Sequence, residues 1–257
     1  MRSLPQILAV AEPIEGGFAV DIPANWLQGR TAYGGLSSAL ALHAAQSSDV
    51  DLPPLRSAIV SFVGPLSGRV AVTATLLRRG RNAAFVQADI VSDKGLGFRA
   101  TFVFMADQVS RIAHDGRVAE RHTPPAADAT LYVGPTDFFT GNFEFLDIKD
   151  GTGPAEWRRW GRLRDRAGLD PLVELITMAD ALPPAAFKLL GKDFVPISSL
   201  TWQINMLEPR PATTDGWWLL GATADYAANG CSSQTMRVWN ADGLLLAEGM
   251  QSVAIFG

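Results

Sequence analysis

The sequence predicts an α+β fold made of two similar halves, each a mainly antiparallel sheet wrapped around one central helix. Three observations carry this expectation. A helix-like segment followed by four strand-like segments occurs twice in the same order along the 257 residues. The turn residues between those strands recur at a nearly constant offset, Pro65 with Pro209 at 144 and Gly95 with Gly243 at 148, the longer Pro-Ala-Thr-Thr-Asp-Gly loop taking up the difference. The composition, 47% hydrophobic and 19% charged, supplies a sizeable core and rules out disorder as the main state.

The first helix is expected over 35–46, where small and apolar residues lie nearly all round, so other structure should pack it on most sides. Strands follow at 56–64, 69–79, 82–92 and 97–105, separated by turn chemistry at Pro65 to Gly68, Gly80, and Asp93-Lys94-Gly95. The second helix starts at Asp170-Pro171, an N-cap followed by proline at the first helical position, and runs to the stop at Pro183-Pro184. Its strands are expected at 197–207, 216–227, 232–239 and 244–256, with turns at Glu208 to Pro211, Asn229-Gly230 and Asp242-Gly243. Strands at 17–23, and at 142–148 with 155–164, precede the two helices. The Pro/Ala/Asp-rich stretch from His122 to Asp128 divides the halves into 1–122 and 123–257.

Several function classes are disfavoured. Lys and Arg number 22 against 26 Asp and Glu, a net charge of −4 with no basic block, which speaks against a nucleic-acid partner. The one cysteine, Cys231, allows no internal disulfide and no thiolate-rich metal site, and fits a reducing, cytoplasmic setting. His43, His114 and His122 are scattered without ligands at metal spacing, so no metal is expected. Gly34-Gly35 is a lone pair and no phosphate-cradling loop, and no apolar run reaches the roughly 18 residues of a membrane span.

Two polar residues interrupt apolar faces. On a helical wheel Asp180 falls within the stripe of Leu172, Val173, Leu175, Ile176 and Ala179, with Glu174 on the far side. Burying a carboxylate there is costly without partners, so Asp180 either frays to solvent before Pro183 or serves a function. In the last strand, alternation puts Gln251 on one face with Leu245, Ala247, Gly249, Val253 and Ile255. It is either satisfied by backbone groups or part of a site. Its first-half counterpart at the turn offset of 148 is Val103, and no acid matches Asp180 on the first helix, so one site per chain is expected.

The segment from Trp26 to Gly35, Trp-Leu-Gln-Gly-Arg-Thr-Ala-Tyr-Gly-Gly running into an Ala/Leu-rich helix, resembles the first-half motif of acyl-CoA thioesterases of the TesB type. The second half is similar to them in Ala179-Asp180, Ser199 before a strand, Asp242-Gly243, and Gln251 in the final strand. The resemblance spans nearly the whole chain and implies a double hotdog fold. It also implies hydrolysis of an acyl-CoA to free acid and coenzyme A, without a cofactor, by direct attack of water. Asp180, Gln251 and Ser199 would carry the chemistry. Ser199, ten residues before Pro209, stands where the family usually has Thr, and Thr201 is the alternative hydroxyl. Tyr33, Gly34 and Gly35 would meet substrate, the glycines either offering backbone N–H groups to an oxyanion or simply allowing tight packing. Loops 142–170 and 183–196 would shape the acyl tunnel. A homo-oligomer, dimer or larger, is also implied. The alternatives are a hotdog that binds an acyl thioester or other apolar ligand without turnover and, behind it, a hydratase, for which no histidine is suitably placed.

Overall fold

In the computed structural model, which describes residues 1–191 and 195–256, the alternating apolar segments are strands and the two small-residue and Asp-Pro segments are helices. The elements run α1 (Leu4–Ala9), β1 (Glu12–Ile14), β2 (Gly17–Ile22), β3 (Leu27–Gln28), β4 (Thr31–Ala32), α2 (Gly34–Gln46), β5 (Leu55–Phe62), β6 (Gly68–Arg79), β7 (Ala83–Ser92) and β8 (Gly95–Met105) in the first half. The second half holds β9 (Phe143–Asp147), β10 (Glu156–Leu163), α3 (Pro171–Ala179), β11 (Ile197–Met206), β12 (Trp218–Ala228), β13 (Cys231–Trp239) and β14 (Leu245–Ile255). Residues 192–194, part of the expected tunnel loop 183–196, lie outside the described residues.

Among the described residues, twelve strands form one sheet in the order β1-β2-β6-β7-β8-β5-β11-β14-β13-β12-β10-β9. Neighbouring strands in it are antiparallel. The halves meet edge to edge where β5 pairs β11, Val60 opposite Trp202 and Ala58 opposite Ile204. This is the double hotdog arrangement, with α2 packed on β6, β7 and β8, α3 on β10, β12 and β13, and the helices against each other. One apolar cluster runs through both helices and the inner faces of both half-sheets. A smaller cluster, Trp160, Trp217, Leu219, Trp239 and Leu245, lies apart from it. The connecting segment is tied down beside this second cluster: Trp239 Nε1 donates to the Val118 carbonyl at 2.8 Å, and the Glu120 N–H donates to Gly243. Residues ahead of the 122/123 division therefore already hydrogen-bond to the second half.

Local chemistry explains the helix ends and the hairpin turns. Helix α2 is buried at ten of its thirteen positions, as a helix apolar all round requires. The Asp170 side chain accepts from the N–H groups of Leu172 and Val173 at 2.9 and 3.2 Å, capping α3 ahead of Pro171. Asn229 and Gly230 take φ of 55° and 75°, the left-handed pair a two-residue hairpin needs between β12 and β13.

Helix α3 departs from expectation in two respects. It ends at Ala179, short of Leu182, because Leu182 precedes a proline and is disfavoured in the helical region. Asp180 is therefore its C-cap. Glu174 is also not on a solvent side: it is buried and accepts a hydrogen bond from Trp218 Nε1 at 3.0 Å. With every residue from Val173 to Ala179 buried, the helix has no wet face for a wheel to identify.

Candidate active site

The site is built where the end of α3 meets the start of α2. The Tyr33 phenol, just before α2, donates to the Thr177 carbonyl in the last turn of α3 at 2.6 Å and fixes one helix end against the other. Its ring stacks on Phe139 at 4.4 Å, and burial, then the charge of Asp180, hold its pKa well above the usual phenol value. Gly34 follows. A β-carbon there would lie 2.5 Å from Asp180 Oδ2 and 2.8 Å from the Phe62 ring, so only glycine lets the backbone approach the acid so closely. No side chain caps the N-terminus of α2, and the Asp180 carboxylate faces it from the other half, with the Gly35 N–H donating toward it.

Asp180 is joined to the sheet by a chain of amides. Gln251 Nε2 donates to Asp180 Oδ1 at 2.9 Å, Gln234 Nε2 donates to Gln251 Oε1 at 2.7 Å, and the Ala185 backbone N–H donates to Gln234 Oε1 at 2.8 Å. Gln234 and Gln251 are cross-strand partners on the inner faces of β13 and β14, both buried. Burial raises the Asp180 carboxyl to about 7, while the Gln251 hydrogen bond and the Gly35 N–H pull it down. An acid with that pKa is partly ionised at neutrality and able both to take and to return a proton.

Of the residues expected at the site, Asp180 and Gln251 are brought into contact and Gly34 and Gly35 border them. The others differ. Tyr33 is 1% exposed with its hydroxyl bound to Thr177, so it anchors the two helix ends beside the acid. A β-bulge between Ser199 and Thr201 turns Thr201 away: Trp202 is opposite Gln251 on the inner face, so its neighbour Thr201 points outward and is exposed. The same bulge leaves Ser199 opposite the buried Val253, on the Gln251 side of the sheet, although among the described residues it makes no hydrogen bond to Asp180 or Gln251. The Gly35 N–H lies on the side of the helix end that faces Asp180.

Val103 is not the counterpart of Gln251. Val238 pairs Ala247 where Ile90 pairs Phe98, which sets β14 one residue beyond the turn offset. The cross-strand pair Gln234 and Gln251 then corresponds to Val86 and Phe102, also a cross-strand pair. Both first-half residues are fully buried and apolar, so the first half has no equivalent polar pair. Gln234 does not emerge from the sequence reading, although it shares its face with the buried Met236 and Val238 just as Gln251 does with Ala247 and Val253. Two more inner-face atoms, Trp202 Nε1 and Ser232 Oγ, are buried without a hydrogen-bond partner among the described residues.

Comparison with known families and structures bears on this geometry. The acyl-CoA thioesterase N-terminal domain matches residues 22–105, and the acyl-CoA thioesterase C-terminal domain matches residues 113–255. Comparison with curated protein sequences returned no match. Among solved structures, a conserved protein with a hot dog fold from Alicyclobacillus acidocaldarius is similar over 98% of this chain and 97% of its own, with a TM-score of 0.84 and 23% identity. The tesB protein of Mycobacterium avium subspecies paratuberculosis is similar over 99% of this chain and 100% of its own, with a TM-score of 0.78 and 19% identity. For acyl-CoA thioesterase II TesB2 from Mycobacterium marinum the shares are 99% and 97%, the TM-score 0.77 and the identity 17%. At such identities these structures speak for the fold.

Proposed function

Because the chain belongs to the acyl-CoA thioesterase family, we propose that it hydrolyses an acyl-CoA to the free acid and coenzyme A by direct attack of a water activated at Asp180. The observation that carries this reading is the hydrogen bond between Asp180 and Gln251, at a carboxyl whose burial sets its pKa at about 7. In the reading, ionised Asp180 takes a proton from water as the oxygen bonds to the thioester carbon. The resulting oxyanion collapses, the carbon–sulfur bond breaks, and protonated Asp180 returns its proton to the leaving thiolate. Gln251 holds the carboxylate in one orientation and has a second amide hydrogen for the water. The N-terminal end of α2 at Gly34 and Gly35 turns its positive dipole toward the developing charge. Ser199 would contact substrate or water at the edge of the same face. Cys231 is exposed at the start of β13, away from this cluster, which agrees with a mechanism lacking a covalent nucleophile.

A panel of acyl-CoAs of increasing chain length, followed by thiol detection, tests the proposal. Free thiol should appear with at least part of the panel. The absence of Ser199 from the hydrogen-bonded cluster favours a second reading, an acyl-thioester-binding protein, and binding of the panel without release of thiol would establish that instead.

A further inference from the structure

A side-chain amide next to a carboxylate can present either its donor or its acceptor end. Only the donor end helps to hold Asp180 ionised and in place. The choice is made elsewhere in the chain of contacts. The Ala185 backbone N–H can only donate, so the atom of Gln234 at 2.8 Å from it must be the acceptor Oε1. That turns Gln234 Nε2 toward Gln251, 2.7 Å away, where it requires Gln251 to offer Oε1. Gln251 Nε2 is then left facing Asp180 Oδ1 at 2.9 Å. A single fixed peptide group thus orients two buried amides in sequence. Gln234 is 1% exposed and Gln251 3% exposed, so water does not compete for these bonds. In the first half the corresponding cross-strand pair is Val86 and Phe102, so strand pairing at this position does not itself need polar side chains.

From this geometry we infer that Gln234 is a positioning residue, which fixes the Gln251 amide so that its N–H group faces Asp180. The inference rests on the proposed role of Asp180, but its consequence for the carboxyl can be read without turnover. The Gln251 hydrogen bond lowers the Asp180 pKa against burial. Among the described residues, the other titratable group acting on this pair of helix ends is Tyr33, a phenol held far above neutrality. Loss of the orienting bond should therefore move Asp180 upward.

The test is a cycle of Gln234→Met, Gln251→Met and the double variant, in which methionine keeps length and volume but has no amide. The Asp180 carboxyl is titrated by 13C NMR, its resonance assigned by its loss in Asp180→Asn. Circular dichroism confirms the fold of each variant. Each single substitution should raise the Asp180 pKa, and the double variant should match Gln251→Met alone, because Gln234 acts through Gln251. An unchanged pKa in Gln234→Met, or additive shifts in the double variant, would overturn the inference. If wild-type protein turns over an acyl-CoA, Gln234→Met should also lower kcat roughly tenfold with KM within about twofold. A lowered kcat with no pKa change would equally refute it. If no acyl-CoA is hydrolysed while the titration shifts as described, the proposed activity fails and the positioning of Gln251 stands.

Discussion

The pKa of Asp180 has a definite consequence for stability. An ordinary aspartate near 3.8 in the unfolded chain becomes an acid of about 7 in the folded one, so the folded state binds the proton more tightly. Between those values the native protein holds more protons than the unfolded chain, and stability falls as pH rises. Below about pH 4 both states are protonated and the penalty vanishes; above about 7 it is fully present. Asn in place of Asp180 removes the ionisation while retaining one acceptor oxygen for Gln251. Asp180→Asn should therefore gain in melting temperature over the wild type from pH 4 to pH 8. A difference between the two proteins that stays constant across that range would show that folding does not raise the Asp180 pKa. For turnover the same ionisation predicts a rate rising with pH through about 7, and a flat profile from pH 6 to 8 would argue against Asp180 as the base.

Two contacts hold the helix ends in register, and each can be removed singly. Tyr33→Phe deletes the bond to the Thr177 carbonyl and leaves that carbonyl buried, which should cost about 1–3 kcal/mol in a denaturant titration. Gly34→Ala places a methyl group where Asp180 Oδ2 and the Phe62 ring already sit. It should destabilise by roughly 1–3 kcal/mol and reduce turnover at the same time, since relief of the clash displaces the acid. A Gly34→Ala variant of wild-type stability and activity would contradict the close approach. The expected strands lie within a few residues of the observed ones because period-2 patterning and Gly/Pro turns mark them locally. Gln251 is legible for the same reason, as a lone polar residue on an apolar face. Bulges carry no such mark. The one at Leu200 separates Ser199 from Thr201. The turn between Asn240 and Leu244 is one residue longer than the turn between Ser92 and Gly95, and this moves the counterpart of Gln251 from Val103 to Phe102. Nor does a helical wheel reveal that a helix is covered all round, which is why it places Glu174 in solvent. Gln234 is obscured by Cys231, Ser232 and Ser233, polar on both faces of the same strand.

At the scale of the molecule, the two halves share one plan but differ at the site. The first half contributes the N-terminus of α2 and the second contributes the acid and its amides, so among the described residues the candidate site lies at the junction of the halves. The outward face of the joined sheet leaves Ile59, Phe85 and Met250 exposed, with Gln203 between Ile59 and Met250 on adjacent strands. We expect that face to be covered by a second copy, so light scattering at tens of micromolar should give at least a dimer, and a monomer would refute it. The central claim, that a water activated at Asp180 attacks the thioester, is tested most directly by thiol release from the best acyl-CoA at pH 8 with wild type and Asp180→Asn side by side. The variant should remain folded and lose about 10²-fold or more in kcat; an Asp180→Asn variant that releases thiol at the wild-type rate would contradict the claim.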